Sequence, residues 1–411
     1  MKTKWNAWVW TVTATALLAA AAEPAPSEAL RKQALALNAI TGEDAEIGKI
    51  LELIEDPPHT KPLLAEAAKL AKEKEQPFNV NATRILAQTA QLLRETDASV
   101  TFYKLFIDQA DQLRSTDKIG LGYSGLIKTL YDGGKYDESD AACQRFLAIK
   151  GDAALQQMKP AVIRLRVLVL AKQSKGEKAS ELLEKLIKAQ PDNPKNLTTK
   201  AEMLHVLDKP AEAVTAYEEA IDLYKKDEDL SKEEQEDYVN SIRYALSGLH
   251  IDLNQVDKAA ADLKSLLEKD PDNPGYNNDL GYIWADHDMN LVESEKLIRK
   301  AIDDDKKQRQ KANPEQKPDA VKDNPSYLDS LGWVLFKQKK FKEARQPLED
   351  AVKQLDAQSI EIYDHLAEVL NALGDKDAAV ATWKKGLELP ADTKREKDKK
   401  AEVEKKLKGN S

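Results

Sequence analysis

Apolar residues recur at helical spacing along most of this chain, in paired blocks separated by short polar turns. Residues 327–352 show the pattern most plainly. Leu328, Leu331 and Leu335 share one face of a first predicted helix, and Ala344, Leu348 and Ala351 share one face of a second. Ala344 is small where the two helices must approach. The same frame returns as Leu280, Trp284, Ser294 and Ile298, as Leu246, Ala259 and Leu263, and as Ala201, Leu204, Ala213 and Tyr217. It returns again as Val167, Leu170, Ala179 and Leu183, as Leu126, Leu130, Ser139 and Cys143, and as Leu366, Leu370, Ala379 and Trp383. The faintest copy is Leu86, Ala90, Ser99 and Tyr103.

Arg166 and Lys200 are 34 residues apart, as are Leu246 and Leu280. A helix–turn–helix unit that repeats at this period cannot bury its apolar face alone and must stack on its neighbours. The fold expected is all-α: a right-handed α-solenoid of about eight units, near residues 80–113, 120–153, 160–193, 194–227, 240–273, 274–308, 325–358 and 360–393. Helical segments at 28–40, 44–55 and 60–75 fit the frame badly and are expected to form an amino-terminal cap over 28–79. Residues 225–238 read as a helical extension or loop. Residues 303–324, polar and lacking apolar periodicity, read as a flexible insertion. Residues 394–411 read as a charged helix or tail.

The stretches 327–352 and 362–389, with the turns QPDNP (190–194) and DPDNP (270–274), resemble tetratricopeptide repeat proteins, here of an exported bacterial type. That resemblance implies a non-catalytic scaffold that binds a protein or peptide segment against the first helices of successive repeats. The family's groove positions fall here on Arg84, Lys128, Arg164, Tyr244, Asn278, Tyr282, Asp329, Trp333, Asp364 and Glu368, with Phe336 nearby. They run from basic to acidic, and their aromatics gather in the later half. Exposed Tyr and Trp make plausible anchors, and the acidic end favours a basic or amphipathic partner. The alternative is that these rings pack between adjacent helices.

Composition narrows the rest. The 411 residues include 16 glycines and 32% charged residues, with a formal charge of −9. An acidic chain is a poor match for nucleic acid. A lone cysteine, Cys143, excludes an intrachain disulfide or a cysteine-based zinc site. Gly120, Gly122 and Gly125 match a dinucleotide-binding spacing, but no strand precedes them. Asp270–Asn273 lacks the glycine and distal glutamate of a calcium loop. Asp286-His287-Asp288 has no second histidine at helical spacing, so a surface turn is expected. No catalytic constellation, cofactor site or metal site is expected. The rival reading is an α-helical enzyme, or an enzyme's regulatory subunit, acting on an envelope polymer.

Residues 1–22 carry Lys2 and Lys4, then an apolar stretch, then Ala20–Ala22 before a Glu-Pro-Ala-Pro-Ser leader at 23–27. That order reads as a cleaved secretory signal, and hence as a periplasmic or cell-envelope protein with no membrane span once cleaved. An uncleaved anchor is the alternative.

Overall fold

A computed structural model describes residues 27–73, 77–312, 322–354, 359–391 and 394–409. The expected signal at 1–22 and leader residues 23–26 lie outside the described residues. Every regular element among the described residues is a helix, and the chain divides into two compact units, Met1–Lys226 and Asp227–Ser411.

The first unit begins with α1 (Ser27–Ala36), α2 (Glu43–Glu55) and α3 (Pro57–Leu70), where the cap was expected; α1 packs on α3, and α2 on the next helix, α4. Four antiparallel pairs follow: α4 (Val80–Leu92) with α5 (Thr96–Gln112), α6 (Thr116–Asp132) with α7 (Tyr136–Ala148), α8 (Ala153–Lys172) with α9 (Gly176–Ala189), and α10 (Pro194–Val206) with α11 (Pro210–Lys226). The second unit contains α12 (Lys232–Asp252) with α13 (Val256–Leu267), α14 (Pro274–Asp286) with α15 (Leu291–Ala312), α16 (Pro325–Lys337) with α17 (Phe341–Val352), and α18 (Ile360–Ala372) with α19 (Lys376–Glu388). It ends in α20 (Lys394–Gly409), which packs on α18 and α19.

One small residue near the start of each second helix sets the close approach within a pair. Ser99, Ser139, Ala179, Ala213, Ala259, Ser294, Ala344 and Ala379 are all wholly buried. The serines also donate to a carbonyl of the first helix, Ser139 Oγ to Ile127 O at 3.0 Å, so the polar hydroxyl is not orphaned. Gly332 serves the same contact from the other side, since a Cβ there would collide with the Leu348 side chain. The glycines at 120, 122 and 125 lie within α6 and admit Met158, Ile107 and Tyr103 in the same way. That packing accounts for the dinucleotide-like spacing.

The turn within each pair is also a repeated device. Arg94, Gly134, Ser174, Asp208, Asn254, Asp288, Lys339 and Gly374 all adopt positive φ. The following residue donates back to the first helix, as in Lys340 N to Leu335 O at 2.9 Å, closing the left-handed cap that satisfies the last carbonyls. Only two of these eight are glycine, which is one reason the chain manages with so few. At the other end, Asn193, Asn273 and Asn324 cap α10, α14 and α16, each followed by a proline in the first helical turn.

One expectation changes. The insertion expected at 303–324 is helical through Ala312, because α15 runs on without a break. Lys300 pairs with Asp304, and Arg309 with Asp305, one turn apart; this lateral charge ladder replaces the missing apolar face. Residues 313–321 lie outside the described residues. Within 225–238, α11 ends at Lys226 and α12 starts at Lys232, where Ser231 and Glu234 form a capping box.

Candidate binding face

In the second unit the first helices α12, α14, α16 and α18 line one face, and the residues on it form a continuous polar and aromatic strip. Tyr244 on α12 is the exposed ring of the strip. It lies 5.3 Å from the Tyr276 ring, and its hydroxyl donates to Asp279 Oδ2 at 2.6 Å. One turn further along α14, the Tyr282 hydroxyl donates to Glu361 Oε1 at 2.6 Å. Trp333 on α16 stacks with two rings: it lies 4.1 Å from His365 and 5.1 Å from Phe336, near-parallel to each, and its Nε1 donates to Asp286 Oδ1 at 3.0 Å. Lys337 Nζ sits 5.2 Å from the centroid of the same indole.

The acidic positions on this face are mostly committed inside the chain. Asp329 is buried against His365, Nδ1 to Oδ1 at 2.9 Å. Burial works to lower the His365 pKa, but the Asp329 carboxylate outweighs it and raises the value. Asp364, 2% exposed, accepts Trp383 Nε1 at 2.8 Å and meets Lys406 at 2.9 Å and Lys399 at 3.4 Å. Burial pushes that carboxyl up, and Lys406 more than reverses it, holding it below the usual range. Glu368 pairs with Lys406 at 2.8 Å, and Glu361 with Arg395 at 2.7 Å. All three bases belong to α20. The acidic end of the face therefore carries a basic helix already, and it is the chain's own. Asp364 and Glu368, expected as free groove residues, are covered.

The basic positions expected in the first unit are also largely spoken for. Arg84 pairs with Glu46 of α2, and Lys128 with Asp132 one turn on. Arg164 donates to the Asn196 amide at 3.3 Å, and burial lowers its pKa. These side chains lie on first helices, as expected, but spacing within one repeat does not reveal the partners of Arg84 and Arg164, 38 and 32 residues away. The residues it missed are Asp279, Asp286, Glu361 and His365. Asp279 and Asp286 have no ion pair among the described residues.

No described helix is long and apolar enough to cross a membrane. Residues 164–228, 244–309, 326–353 and 360–393 match family models described as tetratricopeptide repeat. The TPR repeat-containing protein PA4667 of Pseudomonas aeruginosa is 32% identical over 201 residues, which is 49% of this chain and 29% of that one. The chain thus spans less than a third of the length of that relative. Among solved structures, a tetratricopeptide repeat protein from Parabacteroides merdae shares 13% identity over 73% of this chain and 98% of its own, with a TM-score of 0.45. A TPR protein of Thermus thermophilus shares 19% identity over 53% and 98%, with a TM-score of 0.36.

Proposed function

Because this chain is a tetratricopeptide repeat protein, a type whose repeats generally mediate protein–protein contact, we propose that it is a non-catalytic scaffold that holds a basic or amphipathic segment on the α12–α18 face. The observation that carries the reading is the Trp333 stack, a large amphipathic anchor fixed by ring contacts to His365 and Phe336 and by a hydrogen bond to Asp286. Such an anchor offers area at little entropic cost. The docking of α20 on Asp364 and Glu368 supports the charge preference, since a Lys-rich helix already uses the same face.

Replacing Trp333 with alanine should weaken capture of lysine-rich amphipathic peptides by at least roughly tenfold, a common loss for a central aromatic. It should shift the thermal midpoint far less. Equal proportional loss of folding and of binding would refute the assignment. We also infer that residues 1–22 direct export to the envelope. Mass spectrometry of the envelope-located protein should find Glu23 at its amino terminus, and an intact Met1 on cytoplasmic protein would overturn this.

A further inference from the structure

We propose that Asp279, with Asn278 and the tyrosines around it, is the receptor for one cationic side chain, a lysine or arginine of the bound segment; this rests on the binding reading of the α12–α18 face. The fifth residues of α16 and α18 are Asp329 and Asp364, and each meets a base on the next helix in line, His365 or the α20 lysines. The fifth residue of α14 is Asn278. The position on α16 that corresponds to His365 is Ser330, and its hydroxyl donates to Ser326 O at 3.0 Å. The repeat that should supply a base therefore supplies none, and the acceptors there go unmatched.

They are, among the described residues, one carboxylate without an ion pair and two amide oxygens without a partner. Asp279 takes hydrogen bonds from Tyr244 Oη at 2.6 Å and Asn278 Nδ2 at 3.1 Å, but it has no ion pair among the described residues. Burial pushes its carboxyl up against the pull of those two donors. Asn278 is 7% exposed, and its Oδ1 has no hydrogen-bond partner. Its amide cannot be turned round, because Oδ1 would then face the carboxylate. Asn240, one turn before Tyr244 on α12, carries a second buried amide oxygen without a partner. Unsatisfied buried acceptors are costly and uncommon, and Asn278 Oδ1, bare beside a carboxylate that has no ion pair among the described residues, calls for a donor-rich cation.

The walls agree with that ligand. Tyr244 and Tyr276 lie 5.3 Å apart, and Tyr244 reaches Asp279 through its hydroxyl, so an incoming ammonium or guanidinium meets aromatic rings beside the carboxylate. A divalent metal would need several more oxygen ligands than one carboxylate and two amides provide.

The test is fluorescence anisotropy of labelled hexalysine, with fully acetylated hexalysine as the uncharged probe, against the full chain in 100 mM salt. Asp279→Asn should weaken hexalysine binding roughly tenfold, while Glu268→Gln, which removes an exposed charge elsewhere, should change it less than about twofold. Tyr244→Phe frees Oδ2 from its present donor and should tighten binding. Acetylated hexalysine should bind no variant. Equal losses for Asp279→Asn and Glu268→Gln would reduce the effect to diffuse acidity and overturn the proposal. An unchanged Asp279→Asn beside a weakened Trp333→Ala would overturn it and leave the binding reading intact. Failure of the wild-type chain to bind hexalysine would overturn both. Removing an unpaired half-buried carboxylate should leave the thermal midpoint unchanged or raised, so loss of folding does not confuse the result.

Discussion

Asp364→Asn should release α20 from the second unit. Beyond its polar contacts, which include Arg395 with Glu361 and Lys400 with Leu387 O, the helix has little apolar surface to hold it: Val403 is buried and Leu407 partly so. Burying one valine contributes about 1.5–2 kcal/mol, and a 16-residue helix on its own is marginal. Breaking a fully buried ion pair costs about 3–5 kcal/mol. Here the cost is smaller, because Lys399 and Lys406 keep Glu402 at 2.9 and 3.0 Å, Lys406 keeps Glu368, and an asparagine can still accept from Trp383. A loss of about 2 kcal/mol is reasonable, which is roughly 30-fold in the docking equilibrium. Hydrogen exchange with mass spectrometry should show α20 amides exchanging about 30-fold faster. Those of α16 and α17 should be unchanged, and trypsin should cut sooner at Lys399 and Lys406. The pH dependence follows the same bond. Asp364 has a lowered folded pKa, so its contribution is full above the ordinary carboxylate value near 4 and is lost as pH falls through the folded value. Unchanged exchange across α20 in the variant would refute the claim that this carboxylate docks the helix.

Three further outcomes test the packing and the strip. Ala344→Leu should overpack the α16–α17 crossing and cost about 1–3 kcal/mol, read as a lowered thermal midpoint. An unmoved midpoint would place the repeat frame wrongly. Cys143 is wholly buried and its thiol is pushed up to about 12, mainly by burial, so iodoacetamide at pH 8 should leave it intact in the native chain and alkylate it after unfolding. His365, raised above its unfolded value near 6.5, contributes stability that is full below that pH and is lost as pH rises through its folded value. The thermal midpoint of the wild-type chain should fall more between pH 6 and 9 than that of His365→Gln.

The helix pairs were legible because their signal is local. A small residue at the start of each second helix and apolar residues a turn apart are constraints within one unit, and all eight small positions are buried. The helical part of 303–312 was not legible from apolar spacing, since α15 is held there by ion pairs between turns. The partners of the first-helix face escaped for a different reason. Tyr244 and Asp279 are 35 residues apart, and so are Asp364 and Lys399. Each lies on a helix whose neighbour in space is one repeat away, and no spacing within a single repeat joins them.

That difference moves the site. From sequence, the acidic end of the groove was Asp329, Asp364 and Glu368, and a basic partner would be sought there. In the folded chain those charges already have bases, from α18 and from α20. The carboxylates of this strip with no ion pair among the described residues are Asp279 and Asp286, two turns apart on α14 on either side of Tyr282, with Trp333 donating to the second. Seven residues of helix span about 10 Å, close to the rise of three residues in an extended polyproline II segment, whose side chains return to the same face every third residue. An extended segment with bases three apart would meet both acids in register and lay its intervening side chains across Tyr282 and Trp333. A helical segment would need its bases seven apart. Peptides that differ only in lysine spacing therefore separate the two geometries: tighter binding of the three-apart series points to an extended ligand, and tighter binding of the seven-apart series to a helix.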